Sequence, residues 1–224
     1  AAVAYVAGIG GLSAGFTPTA ALASSTPIAN PAFMSALLVA IGAFATAWIY
    51  RRTLDTGVVG LFALWGLGWW TFAGGHEIME YVWYRDRVDA MFAFLVGTGW
   101  LTAEVRRRFD AFPVFGGTAA LALVLGVPFA MLQSAEHDHP FAHGGALTWL
   151  FYGLAGWRAL VCLRETGMPV RLLAHGGWFW SWIAAIALGA FHLVYRDSYA
   201  GTAYVPGMGD GWRIVALGLP VLLF

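Results

Sequence analysis

Residues 33–78 read FMSALLVAIGAFATAWIYRRTLDTGVVGLFALWGLGWWTFAGGHEI, two long apolar runs divided by a pair of arginines and an aspartate. A helix needs about 20 mostly apolar residues to cross a hydrocarbon layer about 30 Å thick, and each run is of that order. Neither run shows the ten-residue alternation of a lipid-facing barrel strand. A helix satisfies its backbone groups internally, which lipid requires. The stretch therefore predicts two membrane-crossing helices joined by a charged turn.

Working outward, the same criterion predicts eight spans, at residues 1–16, 33–50, 57–78, 88–105, 112–132, 140–163, 172–195 and 212–224. Asp89 and Glu104 shorten the apolar core of the fourth. The chain opens without a methionine or a basic leader segment, and its last apolar run, GWRIVALGLPVLLF, stops short. The first and last spans are therefore expected to be truncated, and the chain to be an excerpt of a longer protein. The fold expected is all-α: a polytopic transmembrane helical bundle with short loops, residues 1–224 forming one membrane domain. Its expected partners are the lipid bilayer and the remaining spans of the same longer chain.

Composition agrees with this. Only 11% of the 224 residues are charged and 60% are hydrophobic, against about 25% charged in soluble domains. The formal net charge is zero and the basic residues are all arginine, with no basic stripe, which excludes a nucleic-acid interface. The single Cys162 excludes a disulfide framework and a cysteine zinc site.

Arginine placement orients the chain. Arg51 and Arg52, then Arg106, Arg107 and Arg108, then Arg164 and Arg171 fall in every second connection, expected to be cytoplasmic. The loops at 76–89, 134–143 and 196–212 are then expected outside, and the localisation is a bacterial inner membrane crossed several times. Short connections predict antiparallel neighbours. Small residues four apart, at Gly11 and Gly15, Ala36 and Ala40, and Ala43 and Ala47, predict close helix approach. AHGG occurs at 142–145 and again at 174–177, a weak hint of an inverted repeat.

The span centres LWGLG, FLVGTG, FYGLAG and IAAIAL carry no charge, which argues against a proton pump or a charge-coupled carrier. Ionisable groups gather instead on the outer side, where five of the six histidines lie. His76 and Glu80 are four apart on one helical face, and Glu77 and Glu80 three apart, so either pair could present two ligands or an acid and a base. SAEHDHPFAH, residues 134–143, adds His137, Asp138, His139 and His143, and the seventh span ends at His192. Candidate catalytic residues are Glu77, Glu80 and His143. Candidate ligands for a divalent metal such as zinc are His76, Glu80, His137, His139, His143 and His192. No spacing matches HExxH or CxxC, and no cofactor is predicted beyond that metal, although His76, His143 and His192 could supply axial imidazoles to a haem. The plainer reading makes this stretch a helix start, with Pro140 in the first turn and Asp138 or His139 capping it.

The spans NPAFMSALLVAIGAFATAW, FALWGLGWWTFAGGHEI, LTWLFYGLAGWRALVCLR, LAHGGWFWSWIAAIALGAFHL and GWRIVALGLPVLLF resemble, in order, stretches of the large bacterial membrane proteins of the domain of unknown function 2339 family. The resemblance covers nearly the whole chain. It implies an inner-membrane envelope protein and brings no catalytic or binding residues. The functional expectation is a non-enzymatic scaffold or transporter component for envelope lipids or glycans, its substrate unknown. The alternative is an outer-leaflet enzyme with a His/Glu site, metal-assisted or not.

Overall fold

A computed structural model describes residues 26–28, 30–109 and 112–199, with side chains as far as His192. The described residues form helices and turns and no strand. The helices are α1 (Pro31–Tyr50), α2 (Thr56–Tyr81), α3 (Arg87–Arg108), α4 (Val114–Val124), α5 (Gly126–His137), α6 (Gly145–Cys162) and α7 (Met168–Tyr199), with a single 3-10 turn at Tyr84–Asp86 between α2 and α3. Among the described residues five segments are long and apolar enough to cross a membrane: Pro31–Tyr50, Thr56–Tyr81, Tyr84–Arg108, Val114–His137 and Met168–His192. The expected first and eighth spans, with Gly11 and Gly15, lie outside the described residues.

The sixth expected span differs from its prediction. Residues 138–144 form a turn in which Asp138 and His143 adopt positive φ, so α6 begins at Gly145 instead of Pro140. Gly144 occupies the cap position without a side-chain cap bond, so neither Asp138 nor His139 caps the helix. What remains is 18 residues with Arg158 among them, and it is not one of the five. The two AHGG stretches differ in conformation, Ala142–Gly144 lying in this turn with Gly145 opening α6, and the second copy lying wholly inside α7.

The described chain falls into two compact units. One comprises the described part of Ala1–Arg87 together with Thr102–Gly117; the other comprises Val88–Leu101 with the described part of Thr118–Phe224. In the first unit α1 packs along α2. Asn30 caps α1 by accepting from the Phe33 amide at 2.8 Å, with Pro31 in the first turn, and Asp55 caps α2 by accepting from the Gly57 amide at 2.7 Å. The buried face of α1 is Ala32, Ala36, Val39, Ala40, Ala43 and Ala47, so both expected small pairs within the described residues lie in the seam. Gly66 of α2 meets the Phe44 ring, where a Cβ would lie 2.8 Å from a ring carbon. Phe112 and Phe115 complete the cluster around Ala47, Val59, Ala63 and Leu67.

The second unit is organised around a break in a helix. Pro128 has no N–H and its ring crowds the carbonyl four residues back, at Val124. The helix divides there into α4 and α5, and Leu125 joins them. A buried displaced carbonyl must find a donor. The Leu123 carbonyl accepts from the Tyr152 hydroxyl of α6 at 2.7 Å, and the Ser181 hydroxyl of α7 shares its one proton between that carbonyl, at 3.0 Å, and the Gly177 carbonyl of its own helix, at 2.7 Å. Two glycines let the backbones come this close. A Cβ on Gly126 would sit 2.5 Å from Ser181, and one on Gly177 would sit 2.9 Å from the Val124 nitrogen. Phe92, Phe129, Trp149 and Tyr152 pack beside the junction, with centroids 4.9 Å apart for Phe92 and Phe129 and 5.1 Å for Trp149 and Tyr152.

Replacing both donors, with Tyr152→Phe and Ser181→Ala together, is expected to cost about 1–2 kcal/mol of stability in detergent. That loss should exceed the sum of the two single changes, because each single variant leaves the carbonyl one donor. Thermal unfolding of the four proteins measures it, and strictly additive losses would count against a shared acceptor.

Candidate functional site

The first unit places three of the candidates near the end of α2. His76 is half-buried, with its ring 6.3 Å from Phe72. Glu77 is buried, and both of its oxygens are engaged: Oε2 accepts from the Ile28 amide at 2.7 Å and Oε1 from the Asn30 side-chain amide at 2.5 Å. Asn30 in turn caps α1, so Glu77 fastens the entry of α1 to the last turns of α2. Ile28 holds a φ of 67°, a strained conformation for a β-branched residue, and Glu77 takes its amide. Glu80, one turn on, is exposed. The two acids therefore occupy different environments, one committed to the fold and the other facing outward. The partner that sequence reasoning missed is Asn30; an Asn-Pro pair opening an apolar run was the signal for it.

In the second unit a buried polar chain links three helices. Asp89, in the first turn of α3, accepts through Oδ1 from the Gln133 side-chain amide of α5 at 2.6 Å. The Gln133 carbonyl oxygen accepts from the Trp149 indole N–H of α6 at 2.8 Å. Gln133 is 0% and Trp149 1% exposed, and Asp89 only 5%. The acid that shortens the apolar core of the fourth expected span thus turns its side chain inward. The positive end of the α3 dipole favours a carboxylate there. Gly144 makes room for it, since a Cβ at that position would lie 2.9 Å from Asp89 Oδ2. Gln133 was not singled out from the sequence, although an amide inside an apolar run deserved the same scrutiny as an acid.

The histidines of this unit form two ring pairs. His137 and His143 meet at 5.2 Å and 62°, and His139 and His192 at 4.8 Å and 42°. His137 is buried, and its Nε2 has no hydrogen-bond partner among the described residues, whereas His143 is exposed. His139 Nδ1 accepts from the Phe141 amide at 3.2 Å. A neutral ring accepting at Nδ1 carries its proton on Nε2, which leaves neither nitrogen ready to bind a metal. Burial pushes His139 below its ordinary 6.5, the neighbouring His192 and His143 add to that, and Asp138 opposes it. Among the described residues no group of three His, Cys, Asp or Glu side chains is arranged to hold a metal ion. His76 and Glu80 belong to the first unit, and His137, His139, His143 and His192 to the second.

Comparison with known proteins finds no family model, curated protein or solved structure that matches the chain.

Two outcomes follow from this geometry. Gln133→Leu removes the donor to Asp89 and the acceptor for Trp149 together, leaving a buried carboxylate short of a partner; a loss of about 2–4 kcal/mol is expected, larger than for Asp89→Asn, which keeps a polar contact. Chemical unfolding of the purified variants ranks them. The second concerns pH. Because folding lowers the His139 value, the stability held by its neutral ring is complete above about 6.5 and is lost as pH falls through the lowered value. His139→Gln should flatten the fall in melting temperature between about pH 7 and about pH 5. An unchanged acid dependence would show that other groups carry it.

Proposed function

We propose that this chain is a multi-pass integral protein of a bacterial inner membrane, acting as a non-enzymatic scaffold or transporter component for envelope lipids or glycans. The observation that carries the reading is the state of the buried acids. Glu77 has both oxygens committed to the entry of α1, and Asp89 is hydrogen-bonded to Gln133. A general acid or base must reach the proton that it transfers, and Glu77 is held by its own fold. Five segments of spanning length and apolarity among the described residues support the membrane setting. We count α6 with them, because its 18 residues extend about 27 Å, close to the hydrocarbon thickness. The connections bearing Arg51 and Arg52, Arg106 to Arg108, and Arg164 then take the cytoplasmic side, and residues 76–89 and 134–143 the outer side. The resemblance of the apolar spans to the domain of unknown function 2339 proteins points the same way.

A second reading, an outer-leaflet enzyme, rests on the His137 and His143 pair, in which a buried ring meets an exposed one. Substitution at His143 separates the two. His143 has a φ of 50°, which asparagine also tolerates, so His143→Asn is expected to fold. In a strain lacking the gene, altered envelope lipid or glycan composition and permeability are expected, and His143→Asn should restore them as the parent does. A folded His143→Asn protein that fails to restore them would favour the enzyme. Reporter fusions after Arg108 and after Asp138 are expected to read as cytoplasmic and exported respectively, and the opposite pattern would overturn the orientation.

A further inference from the structure

We propose that the groove between α6 and α7 binds an anionic phospholipid, with an acyl chain along its floor and the phosphate at the arginines of its rim. The groove encloses about 470 Å³ and lies wholly within the second unit. Its α6 wall is Trp157, Leu160 and Val161, a stripe at helical spacing, and Arg164 follows one turn after Leu160. Its α7 wall includes Phe179 and Gly176, with His175 beside the opening. Trp157 is 61% and Phe179 43% exposed, so the apolar walls face outward, where a lipid chain can enter from the bilayer.

Charge selects the occupant. Arg164 lines the groove, and the Arg171 guanidinium, although not part of the lining, reaches the Arg164 backbone carbonyl at 3.5 Å and so stands next to that end. His175 bonds the Arg171 carbonyl at 2.9 Å and so fixes the first turns of α7 beside them. The neighbouring acid, Glu165, is exposed and does not line the groove. Arginine forks match phosphate oxygens, and basic pockets between spanning helices at the cytoplasmic level suit anionic headgroups. A second observation marks the floor as open: a Cβ on Gly176 would meet nothing within 4 Å. A methyl group added there enters open space.

The proposal rests on the membrane-spanning reading above, and its test separates the two. The full chain is purified in mild detergent, exposed to equal amounts of phosphatidylglycerol and phosphatidylcholine, and the lipid retained is counted by native mass spectrometry. The parent should retain phosphatidylglycerol in preference, by about fivefold for each rim arginine. Arg164→Gln with Arg171→Gln should bring that preference close to parity. Gly176→Leu should remove both lipids and leave the melting temperature unchanged or raised. Inorganic phosphate at millimolar concentration should not displace the lipid, because the acyl chain supplies much of the binding. Equal retention of the two lipids by the parent, or undiminished phosphatidylglycerol on Gly176→Leu, would overturn the proposal. So would Gly176→Leu lowering the melting temperature of a protein that retains no lipid, which would place another apolar segment of the chain in the groove. Failure of the chain to enter membranes in cells would instead remove the membrane reading itself.

Discussion

The bond from Tyr152 and Ser181 to the Leu123 carbonyl is the constraint around which the second unit is arranged. A buried carbonyl turned out of its helix needs a donor from a neighbouring side chain. Pro128 leaves the Val124 carbonyl without its N–H donor, and the Tyr152 and Ser181 hydroxyls meet the adjacent Leu123 carbonyl. Both donors come from other helices, so one acceptor fixes where α6 and α7 stand against the α4 and α5 pair. Gly126 and Gly177 are the consequence on the backbone side, since any Cβ there would hold the helices apart.

The first unit solves a different problem with different means. In the bilayer setting proposed above, apolar helices have no hydrophobic drive to associate, because lipid tails are as apolar as leucine. Close packing and polar ties must decide which helix meets which. The alanine seam of α1 brings its backbone near α2, and Glu77 then sets the register by holding Asn30 and Ile28 at one end. A seam of small residues alone permits sliding by a turn; a carboxylate with two named donors does not. Asp89, Gln133 and Trp149 do the same for α3, α5 and α6 in the second unit.

The helical class and the spans at 33–50, 57–78, 88–105 and 172–195 were legible because apolar length and charged turns depend on composition alone. The paired alanines were legible for the same reason, as close packing in lipid favours small residues at a spacing of four. The start of α6 was not. Pro140 is well suited to a first helical turn, yet here it is buried in a turn, and its carbonyl lies where a Cβ on residue 145 would be, 2.1 Å away. Only Gly145 accommodates that approach. Such a close approach within a turn leaves no periodic trace in the sequence. Gln133 was illegible for a related reason. A single amide in an apolar helix says that a partner is needed without saying which helix provides it.

The histidines show how far residue type falls short of chemistry. Four of them in the second unit lie in pairs at distances that two imidazoles sharing an ion could adopt, and the sequence alone presents them as equivalent ligands. Hydrogen bonding makes them unequal. The Phe141 amide occupies Nδ1 of His139 and so places the proton on Nε2, the nitrogen that a ligand would need bare. His137 has a buried Nε2 with no partner among the described residues, and its companion His143 stands in the turn with a positive φ. The region therefore holds two ring pairs, His137 with His143 at the turn after α5 and His139 with His192 between that turn and α7. The chemistry of SAEHDHPFAH is thus set by which backbone amide meets which ring nitrogen, and that is decided by the turn around Pro140.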